Sequence, residues 1–170
     1  MWFLAIPFFL LARPTPPLLL AGAVLAALGT AVRSWAAGVI YKEREITVAG
    51  PYAHTRSPLY LGSFLIGLGA TVAGGRWVLV VLFVVLFAAV YGRLMASESA
   101  RLDQHFGDAH ADYARAVPLF VPRLAPHRSV TGADAAQRFT LARWRRNREY
   151  EAVLGVVAAF LLLAAKLLYG

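Results

Sequence analysis

The stretch WVLVVLFVVLFAAVYGRLMA, residues 77–96, carries one charge, Arg93, in twenty residues. Twenty apolar residues in helical conformation cover the ~30 Å hydrocarbon core of a bilayer. Trp77 and Tyr91 stand near its ends, where amphipathic rings sit at a membrane interface. This stretch reads as a membrane span, and the rest of the chain is read outward from it. Upstream, Gly74-Gly75-Arg76 marks a tight turn and Pro58 to Ala73 is again apolar. Leu18 to Ile40 is a further span, broken only by Arg33 near one end. Its Gly22, Ala26 and Gly29 recur at three- and four-residue spacing, so another helix can approach that face closely.

Met1 to Ala12 is apolar, contains Pro7 and stops at Arg13-Pro14-Thr15-Pro16-Pro17. Twelve helical residues reach only ~18 Å. With no basic start and no small-residue cleavage site, the segment reads as a short first span rather than a signal peptide. Downstream, Ser97 to Arg138 is mostly polar and looks helical as far as Ala116, before Val117-Pro118 and Val121-Pro122 break it. Ser129 to Ala136 reads as a linker. Phe139 to Glu151 is basic with Trp144 and Tyr150, a pattern suited to the headgroup level. Residues 152–169 form the last span, and Lys166 can snorkel outward.

The fold expected is an all-α membrane bundle of about five spans in a single domain. Its core lies at about 42–122, followed by a basic linker over 123–151. Of the 170 residues, 59% are hydrophobic and only 15% charged, where a soluble domain carries about a quarter charged. Cysteine is absent, which excludes disulfides and a cysteine nucleophile. The net charge of +8 sits in span-flanking segments without a basic-aromatic module, so it points to topology and anionic lipid rather than nucleic acid. Arg13 and Arg76 flank one side. Lys42, Arg44, Arg56, Arg93, Arg101, Arg115, Arg123 and Arg128 flank the other, with the Arg138 to Arg148 cluster, so the positive-inside rule puts that side in the cytoplasm. Oligomeric state is not legible.

The polar segment Gly50-Pro51-Tyr52-Ala53-His54-Thr55-Arg56-Ser57-Pro58-Leu59-Tyr60 lies between two apolar runs on that side. By residue types it reads first as a helix start, with Ser57 as N-cap and Pro58 in the first turn. Glu98, just past residues 77–96 and on the same side, is equally a solvated partner of Arg101 or a carboxylate at the mouth of the bundle. His54, His105, His110 and His127 lack the close pairings of a metal site. Gly67-Leu68-Gly69 lies inside an apolar run with no preceding strand, so helix packing suits it better than nucleotide binding.

Taken together, the two polar segments resemble the isoprenylcysteine carboxyl methyltransferase family and the related phospholipid methyltransferases. In those proteins a GPYxxxRHPxYxG-like stretch precedes a helical hairpin, and an EExxLxxxFGxxYxxY-like stretch leads to Val-Pro. Here the matching residues run from Gly50 through Gly62 and from Glu98 through Leu102, Phe106-Gly107 and Tyr113 to Val117-Pro118. The resemblance covers about residues 50–122. It implies S-adenosylmethionine as methyl donor, bound on the cytoplasmic face beneath the C-terminal segment, and a lipophilic acceptor entering from the membrane. It implies Arg56 and Glu98 as the residues nearest the chemistry. Donor contacts implied are Tyr52, His54, Ser57, Pro58, Tyr60, Gly67, Gly69, Glu98, His105 and Tyr113, with no metal. Three departures stand out: Ser57 in place of His, Ser99 in place of the second Glu, and Ala114-Arg115-Ala116 where a second Tyr is expected. A nicotinamide-dependent sterol-type reductase and a non-catalytic protein of the same fold are the alternatives.

Overall fold

A computed structural model describes residues 2–40, 45–127 and 137–169. Lys42, Arg44, Arg128 and the linker expected at Ser129 to Ala136 lie outside the described residues. Among those described there are seven α-helices, one 3₁₀ turn and no strand. The helices are α1 (Trp2–Leu11), α2 (Pro16–Val39), α3 (Pro58–Ala73), α4 (Trp77–Phe106), α5 (Asp108–Ala116), α6 (Leu141–Arg146) and α7 (Glu149–Tyr169). The 3₁₀ turn is Gly50–Ala53.

Three helices are long and apolar enough to cross a membrane: α2, α4 and α7. The expectation of about five spans therefore resolves into three full-length helices and two shorter ones. At ~1.5 Å per residue, the 16 residues of α3 reach ~24 Å and the ten of α1 ~15 Å. The 30 residues of α4 reach ~45 Å, beyond the thickness of a hydrocarbon core. The helix thus continues unbroken from the apolar stretch into the polar one. It ends where Gly107 takes a left-handed φ of 55°, and α5 follows.

The bundle is built on the α2–α3 seam, its most extensive helix contact. A Cβ on Gly22 would lie 2.3 Å from the Gly69 carbonyl oxygen, and one on Gly29 would lie 2.6 Å from that of Gly62. Pairing 22 with 69 and 29 with 62 sets the two helices antiparallel. Small residues let the backbones meet, so dispersion contacts supply what the hydrophobic effect cannot supply between helices in lipid. At one end of the bundle, Gly75 (φ 71°) forms the α3–α4 turn and the Arg13 N–H donates to the Gly74 carbonyl at 2.7 Å. Ala12, Ala73 and Leu163 cluster there with Phe8, Phe9 and Phe160. Lys166 donates to the Phe9 and Leu10 carbonyls, so it is tied to α1 rather than only reaching outward.

Inside the bundle Arg33 is paired rather than stranded. Its guanidinium meets the Glu149 carboxylate through two bonds, 2.6 and 3.1 Å, and a third nitrogen donates to the Ser63 hydroxyl. Glu149 opens α7 three residues earlier than the sequence suggests and is 4% exposed. Between α3 and α4, Phe64 packs on Phe83, Phe87 and Phe120, and Phe87 stacks on Tyr91 at 4.4 Å. This aromatic column leads up α4 to Glu98.

Candidate functional site

The end of the bundle opposite Arg13 and Gly75 holds a cavity of about 730 Å³. Its walls are residues 45–47, the segment 52–60, and α4 and α5 from Met95 to Tyr113, joined by Ile40 and Leu119.

The 52–60 segment is held in place by the chain that follows α5. The Arg56 N–H donates to the Pro118 carbonyl at 2.9 Å, Arg123 N–H to His54 at 2.9 Å, and His127 N–H to Ala53 at 2.9 Å. The Thr55 hydroxyl lies 3.2 and 3.0 Å from the carbonyls of Leu119 and Phe120. The Tyr113 hydroxyl donates to the Tyr52 carbonyl at 2.7 Å, which ties α5 to the 3₁₀ turn. The two motif-bearing segments therefore meet at one end of the bundle. Ser57 does occupy the N-cap of α3 and Pro58 its first turn, but the Ser57 side chain makes no capping bond. Its backbone N–H donates to the Thr55 hydroxyl at 3.3 Å instead.

Of the residues singled out from the sequence, Tyr52, Arg56, Ser57, Pro58, Tyr60, Glu98, His105 and Tyr113 line the cavity. His54, Gly67 and Gly69 do not. The His54 ring lies 2.8 Å, through Nδ1, from the Arg123 carbonyl, where it helps clasp the loop. Gly67 faces the Phe83 ring, and Gly69 faces Gly22 and Ala26. These two glycines serve helix packing, because the space beside them is filled by side chains and backbone. Gly67→Ala would place its methyl 2.3 Å from that ring. We expect it to lower stability by about 1–2 kcal/mol through overpacking. Thermal unfolding in detergent checks this; unchanged stability would mean that the Phe83 ring moves aside without cost.

Polar groups in the cavity are unevenly satisfied. The Tyr60 hydroxyl donates to Glu98 Oε2 at 3.1 Å, leaving the carboxylate further acceptor capacity. Arg56 Nη1 donates to the Ser99 hydroxyl at 2.9 Å. Ser99, read from the sequence as a departure, is thus not a vacant position in a carboxylate pair but a partner of Arg56. The Tyr52 hydroxyl and Arg56 Nε are buried and have no hydrogen-bond partner among the described residues. Such groups cost free energy unless a ligand completes them. Burial pushes the Tyr52 phenol above its ordinary range, and Tyr113, Glu98 and Glu149 push it the same way. Burial also raises Tyr113, against the opposing pull of Arg56. Both phenols stay protonated donors at neutral pH.

His110 is a cavity residue that sequence reading set aside. It is buried, and its Nδ1 lies 2.6 Å from Asp103 Oδ1. The signal was available in the spacing. Counted from Phe106-Gly107, FGxxYxxY puts its first Tyr at His110 and its second at Tyr113. The departure therefore lies at His110, not at Ala114 to Ala116. No group of three His, Asp or Glu able to hold a metal ion occurs among the described residues.

Residues 18–109 match the phospholipid methyltransferase family. The chain is 35% identical over 116 residues to the nickel-cobalt-cadmium resistance protein NccN of Alcaligenes xylosoxydans xylosoxydans, covering 66% of this chain and 53% of that protein. It is 33% identical over 118 residues to the cobalt-zinc-cadmium resistance protein CzcN of Cupriavidus metallidurans, covering 67% and 53%. It is 31% identical over 81 residues to a protein-S-isoprenylcysteine O-methyltransferase of Schizosaccharomyces pombe, covering 48% and 34%. The chain thus spans about half or less of the length of these curated relatives. No solved structure matches it.

Proposed function

Because this chain belongs to the phospholipid methyltransferase family, we propose that its cavity binds S-adenosylmethionine and that the protein transfers the methyl group to a lipophilic, membrane-embedded acceptor. One observation carries the reading: the Tyr52 hydroxyl and Arg56 Nε are buried donors without partners among the described residues, in the same cavity as the Glu98 carboxylate. A zwitterionic amino-acid end needs that combination, a cation with neutral donors for its carboxylate and a carboxylate for its ammonium. The volume of about 730 Å³ falls within the range of small-ligand sites.

In this reading Arg56 and Tyr52 hold the donor's carboxylate by charge-assisted and neutral hydrogen bonds. Glu98, steadied by Tyr60, holds its amino group or ribose. Tyr113 is anchored by its hydroxyl and offers a ring face to adenine or to the sulfonium. When bound, the donor supplies a methyl group already activated for in-line displacement, so the residues need chiefly to align and to exclude water. That demand suits a site where Ser57 and Ser99 stand in place of His and Glu. We further propose that the cavity end faces the cytoplasm, since Arg56, Arg101, Arg123 and the Arg138 to Arg148 cluster lie there; a periplasmic reporter active after Arg128 would reverse that orientation.

The resistance named in two relatives is theirs, and no observation attaches a metal to this site. None favours a nicotinamide cofactor either. Thermal unfolding of purified protein with S-adenosylmethionine against NADPH separates the readings. Stabilisation by the first alone is expected. Stabilisation by NADPH would support a reductase, and by neither a non-catalytic protein. Incubating membranes with methyl-labelled donor, then asking which lipid fraction gains label, identifies the acceptor class.

A further inference from the structure

The C-terminal segment 137–149 lies outside both motif-bearing stretches and outside the family match, yet it reaches the cavity wall. It first serves α2. A helix leaves its last carbonyls without intrahelical partners, and in an apolar setting each must be met. The Asn147 side chain donates to the Ala37 carbonyl at 2.7 Å. The Thr140 N–H and Arg143 Nε both donate to the Gly38 carbonyl, at 2.9 and 2.8 Å. The Phe139 ring lies where a Cβ on Gly38 would be. With Glu149 on Arg33, these contacts strap the segment across the end of α2.

The strap then extends to the wall. Gln137 is 4% exposed. Its Oε1 accepts from the N–H groups of Val48 and Ala49, at 2.9 and 3.3 Å, and its Nε2 donates to the Ile46 carbonyl at 3.0 Å. Residues 45–47 line the cavity, and Val48 packs with Tyr113 and Val117. Residues 45–49 belong to no helix or strand, so no regular ladder fixes their backbone. One carboxamide meets three of their polar groups.

We propose that Gln137 is a positioning residue of the donor site, holding the 45–49 wall at the distance from Glu98 and Tyr113 that the donor requires. The proposal rests on the methyl-donor reading. It makes the C-terminal strap part of the binding site although it carries none of the recognisable motif.

The test is Gln137→Met, which keeps length and bulk and removes all three bonds. Hydrogen exchange and calorimetry are run on the full chain in detergent, with S-adenosylhomocysteine as probe. In the ligand-free variant, exchange at Val48 and Ala49 should accelerate by tenfold or more, while the thermal midpoint stays within a few degrees. Probe affinity should fall about tenfold, the equivalent of one net hydrogen bond. Unchanged affinity and exchange with binding intact in the unaltered protein would overturn the positioning role alone. Failure of the unaltered protein to bind would remove the donor reading and this proposal with it. If the variant does not fold, the unaltered protein decides: the probe should slow exchange of 45–49 and 137–143 together with 52–60, and protection confined to 52–60 and 98–113 would overturn the proposal.

Discussion

Glu149→Ala should loosen the N-terminal end of α7 and cost about 3 kcal/mol, the scale found when one partner of a buried ion pair is removed. The residue left behind is Arg33, a partly buried guanidinium whose remaining hydrogen-bond partner among the described residues is the Ser63 hydroxyl of α3. At its other end α7 is held by Leu163 and Phe160 in the cluster with α1 and by Lys166 on the Phe9 and Leu10 carbonyls. Only Glu149 and Leu163 are buried along its 21 residues, and Leu154, Val157, Leu161 and Leu162 are exposed at the bundle surface. The loss should come mostly from the stranded charge rather than from packing. The double substitution Arg33→Met with Glu149→Leu should therefore recover most of the stability, because an apolar pair of similar volume needs no desolvated charges. Thermal unfolding in detergent, with cysteine cross-linking between α2 and α7, reads both effects. A double variant as unstable as Glu149→Ala would mean that the pair contributes through geometry and not through charge compensation.

Arg56→Ala is expected to lower S-adenosylmethionine affinity by ~30-fold or more, as a hydrogen bond to a charged group contributes about 1.5–3 kcal/mol. Arg56→Lys should recover little. A lysine is a point charge and cannot present one nitrogen to Ser99 and a second toward the ligand from a rigid plane. Ser99→Ala touches only the partner of Nη1 and should cost a few-fold. The Arg56 backbone is held to Pro118 whatever the side chain, so the fold should survive, and circular dichroism can confirm this beside the titration. Equal affinities for Arg56→Ala and the unaltered protein would take the carboxylate subsite away from Arg56.

Much of the cavity's polar lining was legible because it is dense in polar residues placed between apolar runs. Arg56, Glu98, Tyr52, Tyr60 and Tyr113 stand out there, and all of them line the cavity. What misleads is identity without direction. Gly67 and Gly69 have the spacing of a nucleotide loop, but on a helix they face Phe83 and α2. His54 sits within the motif and turns its ring to Arg123. Ser99 reads as a missing carboxylate until its hydroxyl is seen against Arg56. Gln137 has no local signal, since its partners are about ninety residues away along the chain.

By itself the sequence determined the membrane class, the helical content, the small-residue face of α2 and the two segments that would meet, because hydropathy, residue size and motif order are local properties. Only the tertiary structure decided which groups are left without partners. It also decided that Arg33 is neutralised by Glu149 and that the C-terminal strap reaches the cavity wall. Those outcomes depend on distances between residues far apart in the chain, and burial makes each distance costly to leave unsatisfied.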